Sequence, residues 1–581
     1  MTAPPTLVPP APRWAPVVPV SAAEVAALQE ALRLPRSVCA VLARRGLADV
    51  GAAKAHLRPV LDGLSHPEVM VDLRRAADRI VAAIRSGETI FVHGDYDVDG
   101  ISATALCTRW LRRLGGDVVP FVPDRMRHGY DFGPAGLQAA RDAAATVVVT
   151  VDCGIVAFET VERATSEGMD VIVTDHHTVE SRLPRAFAVV NPNRPDCGHP
   201  DRGLCGTGVA FKLCALVGEL MGTGDGDVLE YLDLVALATV ADLVPLRGEN
   251  RILVRHGLRR MSHTGIAGLR ALLEVAGVSG ESVDVSAVGY GIAPRINAAG
   301  RMGDATTALE LLLTDDPARA GELARELDAL NKARKDEDRR TLDGAMEVLT
   351  GSYDPLSDFG VVVVGEGWHP GVIGIVASRV VERIHRPTVM VALDGKGGGR
   401  GSARSIPGFH VYEALHACRK YLRRFGGHEQ AAGMDIDAPA VPEFRAAFRE
   451  EASRRMEGVS LEPVLEPEVE LGLDEADLDL AHWLGYLGPH GMGNRQPVFM
   501  ARAVHLQEAR EVGHGHLKVR LADGASRLDG IGFGLAHRIP PGSLGGGPHD
   551  VLFRLERNEW KGRPRAQARV LDLRPAEGRS S

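Results

Sequence analysis

The chain has 581 residues, 45% of them hydrophobic and 25% charged, with a formal net charge of −9. That length suits about three or four domains of an ordinary globular protein. No apolar run is long enough to span a membrane, and the N-terminus lacks the basic start and apolar core of a signal peptide. The expected location is the cytoplasm, and seven scattered cysteines suit reduced thiols there better than a disulfide framework. The negative balance does not advertise nucleic-acid binding, but net charge is a sum and binding faces are local.

The first twenty residues are rich in proline (Pro4, Pro5, Pro9, Pro10, Pro12, Pro16, Pro19) and are expected to be disordered. Residues 1–45 thus read as this segment plus a lead-in helix. From about 46 to 260, strand-like and helix-like stretches alternate, which argues an α/β fold with a mostly parallel sheet. The β-branched runs 89–93, 146–151 and 170–174 each end in acidic residues: Asp95, Asp97 and Asp99; then Asp152; then Asp175 with His176 and His177. Open parallel sheets place ligands at the carboxyl ends of their strands. Cys197, His199 and Cys205 lie close together and suggest zinc, but their spacing fits no common zinc pattern.

Residues 317–349 read as one long helix. Leu323, Leu327 and Leu330 give it an apolar stripe for two turns, after which 334–340 is polar all round. A helix that loses its apolar face bridges domains through solvent, and this one would be a spacer on the order of 45–50 Å long. A second α/β unit follows, with strands at 359–364 and 387–393 around a helix at 372–383 and a glycine cluster from Gly395 to Gly401. From about 460 onward short strands and turns dominate, including 517–521, 551–555 and 567–573, and a five-stranded barrel of the oligonucleotide-binding type is expected. Basic residues outnumber acidic ones from 501 to the end.

Alternating carboxylates in Asp95-Tyr96-Asp97-Val98-Asp99 point to one side of an extended chain. Like charges so close repel unless a cation lies between them. Candidate ligands are His93, Asp97, Asp99, Asp152, His176 and Asp242, the last at the end of a helix-like stretch over 229–240. Such a set suits Mn²⁺ or Mg²⁺, and two such ions can hydrolyse a phosphodiester. Each residue has a plainer reading. Asp99 would cap a helix over 101–114, Asp152 would belong to a turn before Gly154, and His177 would be a surface histidine. In the second unit, Gly399-Arg400-Gly401-Ser402-Ala403-Arg404-Ser405 offers amides, hydroxyls and guanidiniums suited to an anion. Trp368-His369-Pro370-Gly371 precedes the helix at 372, and a helix N-terminus favours phosphate.

His93-Gly94-Asp95-Tyr96-Asp97-Val98-Asp99-Gly100 with Asp175-His176-His177 resembles the DHH phosphoesterase superfamily. Arg295-Ile296-Asn297-Ala298-Ala299-Gly300-Arg301-Met302 and Gly426-Gly427-His428-Glu429-Gln430-Ala431-Ala432-Gly433 resemble the motifs of its longest bacterial branch, the RecJ exonucleases. Leu487-Gly488-Pro489-His490-Gly491-Met492-Gly493-Asn494 and His516-Leu517-Lys518-Val519-Arg520 look like that branch's oligonucleotide-binding barrel, with Arg495 where proline is usual and Lys561 where asparagine is common. The resemblance implies a parallel-sheet DHH catalytic domain at 46–316, a connecting helix at 317–350, a smaller α/β DHHA1 domain at 351–459 and the barrel at 460–581. It implies two Mn²⁺ or Mg²⁺ ions on Asp97, Asp99, Asp152, His176 and Asp242, with Asp152 as the bridge and His93 as an additional ligand. Asp95 and Asp175 would orient ligands, and His177 would contact the scissile phosphate or protonate the leaving oxygen. Arg295 and Arg301 would neutralise phosphate beside Asn297, Ser402 and Arg404 would hold a terminal 5′ phosphate, and His428 would touch substrate. Trp560, near Arg563 and Arg565, is the stacking candidate in the barrel.

The implied activity is 5′→3′ exonucleolysis of single-stranded DNA to 5′-mononucleotides, in repair and recombination. The implied protein is monomeric, with a single-strand-binding protein and a helicase as partners. A phosphodiesterase for short oligonucleotides or small phosphorylated substrates shares the metal motifs. The long helix and barrel argue against it, since small substrates need neither. A scaffold built on a decayed phosphoesterase would have lost ligands, and here the set is intact.

Overall fold

The computed structural model describes residue 7 and residues 10–125, 127–278, 283–560 and 563–576, with the side chains of Asp225 and Trp560 excepted. The chain divides into two compact units, 54–333 with 486–496, and 1–53 with 334–485 and 497–581. A two-residue strand, β1 (Arg13–Trp14), opens the described N-terminal segment.

In the unit built from 54–333, the β-branched runs become a five-stranded parallel sheet. Its strands are β2 (Thr89–Gly94), β3 (Asp117–Phe121), β4 (Val147–Val151), β5 (Asp170–Thr174) and β6 (Ala188–Val190), in the order β3-β2-β4-β5-β6. Successive side chains point to opposite faces. Val92, Val149 and Ile172 enter one core while Phe91, Val148 and Val171 enter another. Both faces are therefore buried, as parallel sheets require. Chain order reverses between β2 and β4, because β3 lies outside β2. That switch point opens a crevice at the carboxyl ends of the strands.

Helices α1 (Val98–Arg113), α2 (Gly206–Met221), α3 (Leu232–Ala241) and α4 (Gly248–Met261) follow, and α1, α2 and α3 pack on one another. A π-helical turn over Ala287–Ile292 then runs into α5 (Ala293–Met302). The segment 487–494, expected in the barrel, belongs instead to this unit. Arg251 of α4 donates to the carbonyls of Tyr486 and Gly488 at 3.2 and 2.6 Å, and the Leu246 amide donates to Met492 at 2.8 Å. The resemblance placed it with the barrel, but its Gly488 carbonyl serves the buried Arg251 guanidinium.

The long helix α6 (Pro317–Ser352) is longer than expected by a few residues at its end. Its polar stretch is not a solvated spacer. Asp338 is fully buried, 3.1 Å from Arg379 and 3.7 Å from Arg334, and Leu342, Ala345 and Leu349 enter a hydrophobic core. Carboxylates are buried when paired, so a run that reads as polar all round still has an inner face.

The other unit carries a mixed sheet of β7 (Val361–Glu366), β8 (Thr388–Leu393), β9 (Gly398–Arg404), β10 (Leu422–Gly427) and β11 (Ala431–Asp437), ordered β10-β11-β9-β8-β7, with helix α7 (Ile373–Ile384) after β7. Strand β12 (Val464–Leu465) pairs parallel with β1. The expectation of disorder in the first twenty residues thus fails at Trp14, which is buried and donates from Nε1 to Asp572 at 2.7 Å. Burying an indole that finds an acceptor outweighs the tendency of the flanking prolines. After β13 (Val469–Glu470), the strands β14 (Phe499–Val512), β15 (His516–Asp523), β16 (Ser526–Gly532), β17 (His549–Trp560) and β18 (Arg563–Pro575) form the expected barrel, closed by pairing of β14 with β17.

Candidate metal centre and substrate cavity

Two of the alternating carboxylates become helix caps. Asp97 ends the turn after β2, and its Oδ1 accepts from the amides of Asp99 and Gly100 at 2.9 and 3.2 Å, capping α1. Asp99 is not the cap of its own helix. Its carboxylate reaches the N-terminus of α2 and accepts from the amides of Gly206 and Thr207, both at 2.7 Å. The positive ends of two helices thus hold two adjacent acids in place. Gly206 is required there, since a methyl group on it would come within 2.4 Å of Asp152 Oδ1.

Asp152 directly follows β4 with φ of 62°, a backbone conformation unusual for a non-glycine residue and typical of strained functional sites. His176 follows β5, and its Nε2 lies 3.1 Å from Asp152, 3.7 Å from Asp242 and 3.8 Å from Asp99. Asp242 forms the C-terminal cap of α3. Three overlapping sets of ligating atoms converge within 4.8 Å: Asp99, His176 and Asp242; Asp152, His176 and His177; and Asp95, Asp97 and Asp152. No such set among the described residues includes Cys197, His199 or Cys205. His93 stands at the end of β2, boxed by Phe121 and Phe132 at ring distances of 5.3 and 5.1 Å.

The electrostatics show what this cluster lacks. Burial, then the charges of Asp99, Asp97 and Asp242, pushes the Asp152 carboxyl well above the usual range. Burial and Asp97 do the same to Asp95, and burial and Asp99 raise Asp97. Burial, then Asp99 and Asp97, takes Asp242 up to about 8. Burial lowers His93 to about 4 and keeps its ring neutral. His93 Nε2, Asp95 Oδ1, Asp152 Oδ1 and His176 Nε2 are buried without a hydrogen-bond partner. Buried polar atoms are seldom left so. Oxygen-rich ligands with one or two neutral imidazoles fit hard divalent cations such as Mn²⁺ and Mg²⁺, which would satisfy these atoms and cancel the repulsion.

Asp175 is differently placed. Its Oδ1 accepts from the amides of His176 and His177 at 2.7 and 3.0 Å and from His177 Nδ1 at 2.7 Å, while Oδ2 accepts from the Ile155 amide at 3.0 Å. It is committed to holding the strand end and His177. Burial opposes a charge on His177, but Asp175, with the charges of Asp242 and Asp99, lifts its pKa to about 9.

A cavity of about 330 Å³ opens beside these groups, lined by Asp95, Asp97, Asp152, His177 and Asp242 on one side and by Asn297, Gly300 and Arg301 of α5 on the other. Arg301 and Asn297 thus line the cavity. Arg295 is elsewhere. It donates to Asp328 Oδ1 at 2.9 Å and to the Gly291 carbonyl at 2.5 Å, and it does not line the cavity. The loop after β3 contributes groups that the sequence reading passed over. Arg125 lies 5.2 Å from the Tyr96 ring, and the Tyr130 hydroxyl is 3.3 Å from His177 Nδ1. The available signal was positional: this loop also leaves the carboxyl end of a parallel strand.

In the other unit, Ser402 and Arg404 share β9, and Arg404 donates to Ser402 Oγ at 3.0 Å. They face the first turn of α7, where a methyl on Gly374 would come within 3.0 Å of Ser402 Oγ and 2.9 Å of the Arg404 guanidinium. A helix N-terminus, a hydroxyl and a guanidinium thus lie in one place, groups of the kind that suit an anion. His428 is exposed at the tip of the β10–β11 hairpin, and Ala431 of that hairpin pairs with Arg404. The Trp560 side chain and Lys561 lie outside the described residues.

Three family models match the chain: the DHH family N-terminal domain over 89–239, the DHHA1 domain over 357–454 and the RecJ OB domain over 468–572. The single-stranded-DNA-specific exonuclease RecJ of Bacillus subtilis is 36% identical, over 95% of this chain and 70% of that protein. The corresponding Escherichia coli protein is 36% identical over 92% of this chain and 96% of its own length. The chain belongs to the RecJ family. A crystal structure of RecJ in complex with Mn²⁺ from Thermus thermophilus superposes with a TM-score of 0.82 at 35% identity, covering 97% of this chain and 80% of that one. A Mg²⁺ complex from the same source superposes at 0.76 and 33% identity, covering 97% and 78%. Among the described residues, no helix of this family member is long and apolar enough to cross a membrane.

Proposed function

We propose that the protein is a single-stranded-DNA-specific exonuclease that hydrolyses phosphodiester bonds with two divalent cations, Mn²⁺ or Mg²⁺. The observation that supports this is the convergence of buried carboxylates with His176 and His177, several of whose polar atoms lack a hydrogen-bond partner, beside the cavity. Asp97, Asp99, Asp152, His176 and Asp242 would hold the ions, with Asp152 between them and His93 as a further ligand. When bound, the ions supply Lewis acidity for attack of water on phosphorus.

The chain's own groups do the rest. Asp99 and Asp97, tied to helix amides, keep their oxygens fixed, and His93 remains a neutral donor. Asp95 supports the cluster or donates its free oxygen to it. Asp175 occupies His177 Nδ1, which leaves Nε2 to carry a proton to the leaving oxygen or to contact the phosphate. Arg301, with Arg125, brings positive charge to the cavity wall to balance the phosphodiester, and Asn297 offers an amide to it. Ser402 and Arg404 would bind the terminal 5′ phosphate, which sets digestion in the 5′→3′ sense with release of 5′-mononucleotides. His428 would touch the strand beside them.

The division of labour would comprise a DHH catalytic domain at 46–316, the connecting helix at 317–350, a DHHA1 domain at 351–459 and the barrel at 460–581. The barrel would hold the polymer, with Trp560 as a stacking group. The protein would act as a cytoplasmic monomer in DNA repair and recombination, with a single-strand-binding protein and a helicase as partners. Digestion of 5′-labelled and 3′-labelled single strands with Mn²⁺, beside matched duplex and RNA, tests the reading. Labelled mononucleotide should appear at once from the 5′ label, with duplex resistant. Early release from the 3′ label would reverse the assigned polarity.

A further inference from the structure

Among the described residues, Tyr290 at 84% and Leu243 at 66% exposure are among the most exposed large apolar side chains. Single exposed hydrophobic residues need no explanation. These two are unusual in the backbone that displays them and in what that backbone joins.

Leu243 directly follows Asp242 with φ of 59°, a left-handed conformation that costs energy for a leucine. Tyr290 sits in the π-helical turn Ala287–Ile292, between Gly289 and Gly291. Its neighbours Val288 and Ile292 are fully buried, so the turn itself is anchored and only the ring stands out. Arg295 braces the turn through the Gly291 carbonyl and is itself held by Asp328. Rare π-helical turns recur at functional sites. This one runs straight into α5, which presents Asn297, Gly300 and Arg301 to the cavity, and it packs against α3, whose end carries Asp242. Tyr290 precedes Asn297 by two helical turns, about 10 Å along the axis.

The cavity is lined mainly by charged and polar groups suited to a sugar–phosphate backbone. The bases attached to that backbone need apolar surface. An aromatic ring supplies it without regard to sequence, because every base has a π-face.

We propose that a nucleobase of the bound single strand stacks on Tyr290, which stands on the turn leading into the cavity-lining α5, with Leu243, next to the cavity-lining Asp242, adding exposed apolar surface. Tyr290 is thus a positioning residue for the strand, and Arg295 serves by fixing the turn that displays it. The inference rests on the proposed function.

The test compares an oligothymidylate with a strand of the same length made of abasic units, both with Mn²⁺ and the full chain. Tyr290→Ala should raise KM on oligothymidylate by about 10-fold, the loss of one base–aromatic stack, with kcat little changed. Tyr290→Phe should restore it, and Leu243→Ser should give a smaller rise. On the abasic strand, wild type and Tyr290→Ala should be alike. Equal losses on both strands, or none on oligothymidylate, would overturn the proposal. If Tyr290→Ala melts early, Tyr290→Leu, which keeps apolar bulk without the ring, carries the same comparison. Wild type inactive on both strands would instead sink the function on which this rests.

Discussion

At Glu249 a buried carboxylate meets its counter-charge inside the protein; at Asp152 it does not. Glu249 Oε2 lies 2.6 Å from the Lys212 ammonium, and Oε1 accepts from the Ser65 amide at 2.7 Å. Burial works against its charge, but His199 and Lys212 hold its pKa down at about 2. Burial lowers Lys212 as well, yet the 2.6 Å contact and the ionised carboxylate favour a charged pair. Asp152, in the same unit, lies within 4.8 Å of His176 and His177, yet burial and then the charges of Asp99, Asp97 and Asp242 still raise its pKa. One cluster has a cation of its own in Lys212. The other is open by one or more positive charges, and that deficit is what a cation or a phosphate-bound metal would fill.

The contrast can be broken from either end. The largest effect should come from Asp152→Ala, which removes the proposed bridge. Hydrolysis should fall by about 10³-fold or more, since cation charge supplies several kcal/mol to such reactions, while single-strand binding by gel shift stays close to wild type. Normal turnover by that variant would refute the assignment.

Next in size, Lys212→Met strands the Glu249 carboxylate, and removing one partner of a buried pair costs about 3–5 kcal/mol. Thermal unfolding should register a large fall in Tm, and Lys212→Met combined with Glu249→Leu should recover most of it.

A smaller effect separates the clusters by pH. Asp242 has a folded pKa near 8, above its unfolded value of about 3.9. The metal-free folded state therefore holds the extra proton, and its stability declines as pH rises through that window. Asp242→Asn should raise the metal-free Tm most at pH 9, less at pH 6, and hardly at all below about pH 3.9, where both states hold the proton. Mn²⁺ should stabilise wild type more at pH 9 than at pH 6, because binding displaces protons. Glu249 has the opposite sign. Its folded pKa lies below the unfolded one, so its contribution is present above about pH 4.3 and is lost as pH falls through about 2. Glu249→Gln strands the Lys212 ammonium, so it should lower Tm at neutral pH much as Lys212→Met does; the smallest signature is its removal of the acid-side decline between about pH 4.3 and about 2.

Much of the fold was legible because parallel strands announce themselves. The runs 89–93, 146–151 and 170–174 became β2, β4 and β5 with small changes at their ends, and the residues after them meet at one edge. What stayed hidden depended on partners far away in sequence. Asp99 read as its own helix cap, yet it serves α2, more than a hundred residues on. Arg295 and Arg301 look equivalent around a small-residue segment, but Asp328 draws one of them away. Asp338 looked solvated until Arg379 came within 3.1 Å of it. Arg125 and Tyr130 sit in a loop whose residue types carry no periodic pattern, so only the sheet's topology could have drawn them toward the cavity.

The central claim is that the open cluster works only when its missing charge comes from outside the chain. The direct test is the initial rate of mononucleotide release from a single strand, first in excess EDTA and then across a Mn²⁺ titration. The account predicts no turnover without metal and a rise to full activity with Mn²⁺. Turnover that persists in EDTA would contradict it.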